Sequence, residues 1–285
     1  MDVNKVIKNI FEPGAKVLHS LHGGMMNESF VVLSEGKKYV LYLPTKQANE
    51  MVDRSLEEYN HKLIYKLGIT SENMYFDTES GIKVNRYIEG DSLNRCDTFD
   101  VAKIAVMLKI LHHGSKITEE DYLPFSRLKY YEEERMKHTN KISSLYAGLR
   151  KHITNNEEFL KKDRLVLSHN DFQRSNIIKT PEDNYYIIDF EFASNNYDLY
   201  DVACFGNDNV SDGVELLKAY KNGNPSKEDY KRFYLWRIFI SLQWYNVALI
   251  KHYRGEGEHH NINFLAVAKH FIENALQAYK ELIEQ

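Results

Sequence analysis

At 285 residues, 43% hydrophobic and 27% charged, with 14 Gly and 5 Pro, the chain has the composition of a folded protein with room for a large core. Its formal charge of −4 excludes a protein whose main work is gripping nucleic acid, because such binding rests on clustered Lys and Arg. Two cysteines, Cys96 and Cys204, are too few for a disulfide framework and form no CxxC metal pair. The opening run to Lys8 alternates charged and apolar groups and lacks the apolar core of a signal peptide. The expectation is therefore a cytoplasmic protein with no membrane insertion.

In chain order, Ser29 to Leu33 and Lys38 to Leu43 read as a hairpin around the turn Ser34-Glu35-Gly36-Lys37. A helix is predicted around Glu50 to Leu67, with Leu56, Tyr59, Leu63 and Leu67 recurring on one side. Gly81 to Ile88 is a further strand, closed by Glu89-Gly90. Asp97 or Thr98 can cap a helix that carries Val101, Ile104, Ala105, Leu108 and Leu111. Helical patterns then dominate, interrupted by three short apolar runs at Leu165 to Leu167, Ile177-Ile178 and Tyr185 to Ile188. The apolar stretch Ile238 to Ile250 is shorter than the ~20 residues a membrane span needs, so it reads as a buried helix. The pattern predicts an α+β protein with a small β-rich lobe over residues 1–88 and a larger, mostly helical lobe over 89–285. Ligands commonly bind in the crevice between such lobes.

Chemistry concentrates in Ser168-His169-Asn170-Asp171-Phe172-Gln173-Arg174-Ser175-Asn176. Asp171 follows a short strand, Asn176 comes five residues later, and Asp189 ends the next strand after a turn at Thr180 to Asn184. A hairpin there returns Asp189 beside Asn176. One carboxylate and one amide oxygen suit Mg²⁺, a hard cation satisfied by oxygen ligands and ATP phosphates. Asp171 then remains available to accept the proton of an attacking hydroxyl, the division of labour that phosphoryl transfer requires.

This run, followed by Ile187-Ile188-Asp189-Phe190-Glu191-Phe192-Ala193, resembles the aminoglycoside phosphotransferase and choline kinase superfamily, relatives of the protein kinases. It looks most like the choline and ethanolamine kinases. The resemblance implies a protein-kinase-like bilobal fold, with Asp171 as catalytic base and Asn176 and Asp189 as Mg²⁺ ligands. Gln173 and Glu191 would lie near the metal or phosphates, while His169 and Asp201 brace the loop. Gly23-Gly24-Met25-Met26-Asn27 is similar to a family Gly-Gly-x-x-Asn segment, where glycine lets backbone approach phosphate. Gly23, Gly24 and Asn27 are accordingly nucleotide-side candidates. Asn85-Arg86-Tyr87-Ile88 would form the hinge whose backbone meets adenine, and Leu111-His112-His113-Gly114-Ser115 would be a structural helix end.

On the predicted helix, Glu57 lies nearer the border of the apolar face than Glu58. Glu57 is thus the candidate for the family's glutamate that pairs with a basic strand residue. One departure stands out. The family usually has Lys or Arg where this chain has Tyr42, which supplies no fixed positive charge. Lys37, Lys38 and Lys46 are the nearby candidates to substitute, and a non-catalytic pseudokinase is the alternative that Tyr42 raises.

For the acceptor, choline's permanent cation calls for aromatic faces and a little negative charge. Tyr197, Trp236, Trp244 and Tyr245 are the candidates, with Trp244 beside Tyr245 preferred and Trp236 two turns earlier. The expected activity is ATP- and Mg²⁺-dependent phosphorylation of choline to phosphocholine, with ethanolamine, thiamine or an aminoglycoside as alternative acceptors.

Overall fold

The structure, a computed structural model, describes residues 2–21, 27–45, 48–49, 52–114, 118, 120–257 and 262–284. Helix α1 (Val3–Ile10) precedes strands β1 (Lys16–Leu21), β2 (Asn27–Ser34) and β3 (Lys37–Pro44). Helix α2 (Arg54–Tyr65) leads to β4 (Asn73–Phe76), β5 (Lys83–Arg86) and β6 (Asp91–Ser92). Helices α3 (Val101–Gly114), α4 (Pro124–Met136), α5 (Ser144–Asn155) and α6 (Glu157–Leu160) follow. Strands β7 (Leu165–Ser168), β8 (Ile177–Lys179), β9 (Tyr185–Ile187) and β10 (Ser194–Tyr197) come next. Helices α7 (Asp198–Phe205), α8 (Val210–Tyr220), α9 (Lys227–Tyr253) and α10 (Phe264–Ile283) complete the described elements.

These elements form two compact units, Met1–Phe99 with Arg174–Ala193, and Asp100–Gln173 with Ser194–Gln285. A cut at residue 88 assigns the β8–β9 hairpin to the helical part, whereas it packs in the strand-rich unit, where β8 pairs with β6.

The first unit is built on a five-stranded sheet of order β1-β2-β3-β5-β4. Its central hairpin turns at Glu35 and Gly36, whose φ angles of 50° and 73° are both positive, as a two-residue hairpin turn with the strands' twist demands. Val32, Leu41, Leu43 and Val84 meet Val6 and Ile7 of α1 on one face, forming an apolar core. Helix α2 starts later than its periodicity suggests, because Asp53 caps it by accepting the Ser55 and Leu56 N–H groups. Its buried face also differs from the predicted one. Arg54, Glu57, Asn60, His61 and Ile64 are buried, while Tyr59 is 55% exposed. Ion pairs and hydrogen bonds decide the orientation of this helix, and the apolar stripe loses. Glu58 lies outside that face and pairs with Lys62.

The second unit is helical around a two-stranded β7–β10 sheet. Asp100, rather than Asp97 or Thr98, caps α3 through the Ala102 and Lys103 N–H groups. Helix α9 opens with a Ser226–Asp229 capping box and is buried almost continuously from Phe233 to Lys251, with α10 packed along it. Among the described residues, no helix is long and apolar enough to cross a membrane.

Candidate active site

The loop after β7 is fixed by one buried carboxylate. Asp201, fully buried on α7, accepts the His169 N–H on Oδ2 and the Asn170 N–H on Oδ1, both at 2.8 Å. His112 of α3 brings Nε2 to 3.0 Å from the same Oδ2, and its Nδ1 lies 2.8 Å from the Tyr220 hydroxyl. Asn170 adopts φ 66°, a left-handed conformation that Asn tolerates, and its Oδ1 accepts from Asn196 at 2.7 Å. His169 is itself fully buried and takes the Asp171 N–H on Nδ1 at 3.2 Å, which leaves the ring proton on Nε2. The carboxylate of Asp171 is half-buried, and the Gln173 amide sits on both of its oxygens at 2.8 and 2.9 Å. Gln173 thus meets Asp171 directly.

The first unit carries a second cluster. Ile188 donates its N–H to the Asn176 carbonyl at 2.9 Å, so the β8–β9 hairpin brings the chain back to Asn176 immediately before Asp189. Asp189 has φ 66° and a side chain 27% exposed. Lys83 of β5 places Nζ 3.2 Å from Asp189 and 2.5 Å from Glu57, with both Lys83 and Glu57 buried. Arg54 pairs with the other Glu57 oxygen at 2.6 Å and lies 3.7 Å from Glu191. Gly81 makes room for it: with φ +73°, a Cβ there would fall 2.7 Å from Arg54 Nε and 2.6 Å from Asn49 Oδ1. Asn27 donates to Glu191 at 3.1 Å. Burial, reinforced by Asp189, pushes the Glu191 carboxyl up to about 8. Burial alone would lower the Lys83 ammonium, but Glu57, Asp189 and Glu191 outweigh it and hold the pKa high.

Tyr42 lies directly opposite Lys83 in the β3–β5 register, and Lys83 Nζ stands 4.8 Å from the Tyr42 ring centre. A buried cation therefore stands beside Tyr42, on the adjacent strand. Of the expected substitutes, Lys37 is exposed, Lys38 bonds Glu89 at 2.8 Å, and Lys46 lies outside the described residues. Gly23 and Gly24 also lie outside them. Sequence reasoning missed Lys83, though alternation held a signal: Ile82 and Val84 face the apolar core, so Lys83 points to the other side. Arg54 was missed as well, and His112, read only as part of a structural helix end, meets Asp201 far along the chain.

Asn85 and Arg86 lie within β5, and their surroundings are sheet contacts. Asn85 Oδ1 accepts from Asn73 at 2.8 Å, while Arg86 donates its N–H to Glu72 O and Tyr87 to Lys38 O. Tyr87 and Ile88 follow the strand, half-buried.

The acceptor candidates of the second unit fall into three settings. Tyr197 stacks on Trp236 with centroids 5.4 Å apart and planes at 23°, and Tyr200 meets Trp236 edge-on at 5.2 Å. Trp244 stacks instead on Phe271 of α10. Tyr245 packs on Tyr146, and its hydroxyl accepts the Ser143 N–H at 2.8 Å. Adjacent helical residues point about 100° apart, and Trp244 and Tyr245 accordingly meet different neighbours, Phe271 and Tyr146. Tyr197 and Trp236 are the pair brought together.

The sequence model of the choline/ethanolamine kinase family matches residues 18–240. The chain belongs to that family. It is thus a small-molecule kinase by class, as its loop led us to expect. Protein LicA of Haemophilus influenzae is 24% identical over 310 residues, covering 97% of this chain and 86% of that protein. An uncharacterized protein of Mycoplasma pneumoniae is 25% identical over 235 residues, covering 80% and 77%. The crystal structure of choline kinase LicA from Streptococcus pneumoniae matches with a TM-score of 0.76 at 23% identity, covering 99% of this chain and 97% of that one. A spectinomycin phosphotransferase in complex with ADP and spectinomycin matches at TM-score 0.59 and 16% identity, covering 96% and 97%. These likenesses establish the kinase-like α+β fold of this choline/ethanolamine kinase family member.

The residues around Asp189 fit the ions a kinase needs. Among the described residues, no group of three or more His, Cys, Asp or Glu side chains forms a metal cage. Mg²⁺ characteristically uses one or two carboxylates and completes its shell with phosphates and water. The buried Asn27 Oδ1 and Arg54 Nη2, both in residues that contact Glu191, find no partner among the described residues. Orphaned polar groups beside a carboxylate pair suit an ionic ligand.

Proposed function

We propose that this chain phosphorylates the hydroxyl of a small amino alcohol, choline first among them, using ATP and Mg²⁺. MgATP, when bound, supplies the transferable phosphoryl group and neutralises the charge that develops on it. Asp171 accepts the proton of the acceptor hydroxyl as the hydroxyl oxygen bonds to the γ-phosphorus and the bond from that phosphorus to the departing ADP breaks. Gln173 orients the Asp171 carboxylate, and Asp201, with His169 behind it, fixes the loop backbone. Asn176 and Asp189 hold the metal, with Glu191 beside them. The strand-rich lobe, over residues 1–88, binds nucleotide through Gly23, Gly24, Asn27 and Glu57, and through the hinge at Asn85, Arg86, Tyr87 and Ile88. The lobe over 89–285 takes the acceptor, in the cytoplasm.

The observation that carries this reading is the segment 168–191. A half-buried carboxylate stands on a loop braced by Asp201, and a hairpin hydrogen bond returns the chain to Asn176 just before Asp189. Choline is favoured over polycationic acceptors by the half-buried ring of Tyr197 backed by Trp236, a stacked aromatic pair of the kind that takes a quaternary cation. Trp244 and Tyr245 stand further down the same helix and have weaker support as acceptor residues.

The test is a phosphorylation screen with ATP and Mg²⁺ over choline, ethanolamine, thiamine and aminoglycosides. Choline is expected to give the highest kcat/KM. Inert choline beside a turning-over ethanolamine or aminoglycoside would replace the acceptor and leave the chemistry. ATP binding without turnover on any acceptor would make the chain the pseudokinase that Tyr42 suggests.

A further inference from the structure

We infer that Lys83 of β5 is the side chain that grips the nucleotide phosphates in this chain, in place of the residue on β3 whose position Tyr42 occupies. The inference rests on the kinase reading and makes its nucleotide side specific. Tyr42 and Lys83 are cross-strand partners, so exchanging which strand bears the cation moves it only one strand spacing, about 5 Å. Glu57 holds the ammonium at 2.5 Å, Asp189 takes a second contact at 3.2 Å, and the Tyr42 ring packs alongside at 4.8 Å.

Three features argue that this cation does more than pair with Glu57. An ammonium has three N–H donors, and two oxygens meet it here, leaving one donor without an oxygen among the described residues. Burying an ion pair is commonly no more stabilising than an apolar pair of similar volume, so stability alone does not call for a lysine between Ile82 and Val84. The same cluster contains a second incompletely used cation: Arg54 is 5% exposed, and its Nη2 has no partner among the described residues. Two buried cations with spare donors, next to a partly exposed carboxylate, form a site with capacity for oxyanions. Glu57 and Arg54 then act as positioning residues: Glu57 bridges the two cations, and Gly81 leaves Arg54 the space to reach it.

Calorimetric binding of ATP, ADP and adenosine to the full chain tests this without turnover. Loss of one charge-assisted contact lowers affinity about tenfold or more. Lys83→Met is therefore expected to weaken ATP and ADP about tenfold while leaving adenosine within about twofold. Lysine relocation, Tyr42→Lys in the Lys83→Met background, is expected to recover most of the ATP affinity. Unchanged ATP affinity in Lys83→Met, or equal weakening of ATP and adenosine, overturns the assignment and leaves the kinase reading standing. Failure of the wild-type chain to bind ATP at all overturns both. Should Lys83→Met not fold, the relocated variant decides: ATP affinity within about fivefold of wild type supports the exchange, and ATP held no more tightly than adenosine refutes it.

Discussion

Glu57 in the strand-rich unit and Asp201 in the helical unit are both buried acids, 3% and 0% exposed, yet they are satisfied in opposite ways. Glu57 is held by two cations, Lys83 and Arg54, which also reach Asp189 and Glu191. Asp201 is held by two backbone N–H groups and an imidazole. Cations on long side chains can re-aim when a charged ligand arrives, since each has more donors than one carboxylate uses. Backbone donors cannot move without moving the loop. The first cluster therefore suits ligand exchange, and the second suits holding Asp171 still.

The sharpest way to break this contrast is at the residue that the rigid loop carries. Asp171→Asn is expected to lower phosphoryl transfer about 10²- to 10⁴-fold, the usual contribution of a general base, with thermal unfolding near that of wild type. ATP consumption in the presence of the preferred acceptor measures it. A variant keeping more than about a tenth of the rate would remove Asp171 from the chemistry.

In the exchangeable cluster, Glu57→Gln leaves Lys83 and Arg54 facing a neutral amide. Removing one partner of a buried ion pair costs about 3–5 kcal/mol, so urea unfolding should report a loss toward the low end, because Asp189 still meets Lys83. Nucleotide affinity should fall as well. Near-wild-type stability would mean that the cluster is solvated and not the buried pair described.

The braced loop should respond more mildly and in a different parameter. Asp201→Asn keeps one acceptor oxygen for two N–H groups and His112, costing about 1–3 kcal/mol. Its effect on catalysis should fall on kcat, through a displaced Asp171, with the KM for ATP unchanged. A rise in KM for ATP with kcat preserved would place Asp201 in the nucleotide's service instead.

What was readable beforehand follows from sequence distance. The loop 168–176 and the return to Asp189 lie within about twenty residues, and their strand–turn–strand pattern encodes the local hydrogen bond between Ile188 and Asn176. The family resemblance rested on that same stretch. The cation cluster was hidden because it depends on register: Lys83 matters only when β5 is paired to β3 with Tyr42 opposite. The helix α2 was read correctly as a helix and incorrectly in its facing. Leu56, Tyr59 and Leu63 made a plausible apolar stripe, but Asn60 bonds the Ala193 carbonyl at 2.6 Å and His61 packs edge-on against Phe190. Those partners are distant in sequence, and periodicity carries no information about them. The setting of Trp244 was hidden for the same reason, since its stacking partner Phe271 belongs to a later helix.

The smallest expected effect concerns pH, where the two units should again differ, now in sign. His61 on α2 is pushed down to about 4 by burial first and by Lys83 second. The unfolded chain binds a proton there below about 6.5, while the folded unit resists until about 4. Its contribution to stability is thus complete above pH 6.5 and is lost as pH falls toward 4. Asp163 in the helical unit is raised to about 7, by burial first and by Asp198 second. The folded unit keeps that proton after the unfolded chain has released it, so this contribution is complete below about pH 4 and is lost as pH rises through 7. Urea unfolding from pH 4 to 8 on Asp163→Asn and His61→Phe separates them. Asp163→Asn should flatten the alkaline decline and His61→Phe the acidic one. If both variants keep the wild-type pH profile, neither group sets the pH response of its unit.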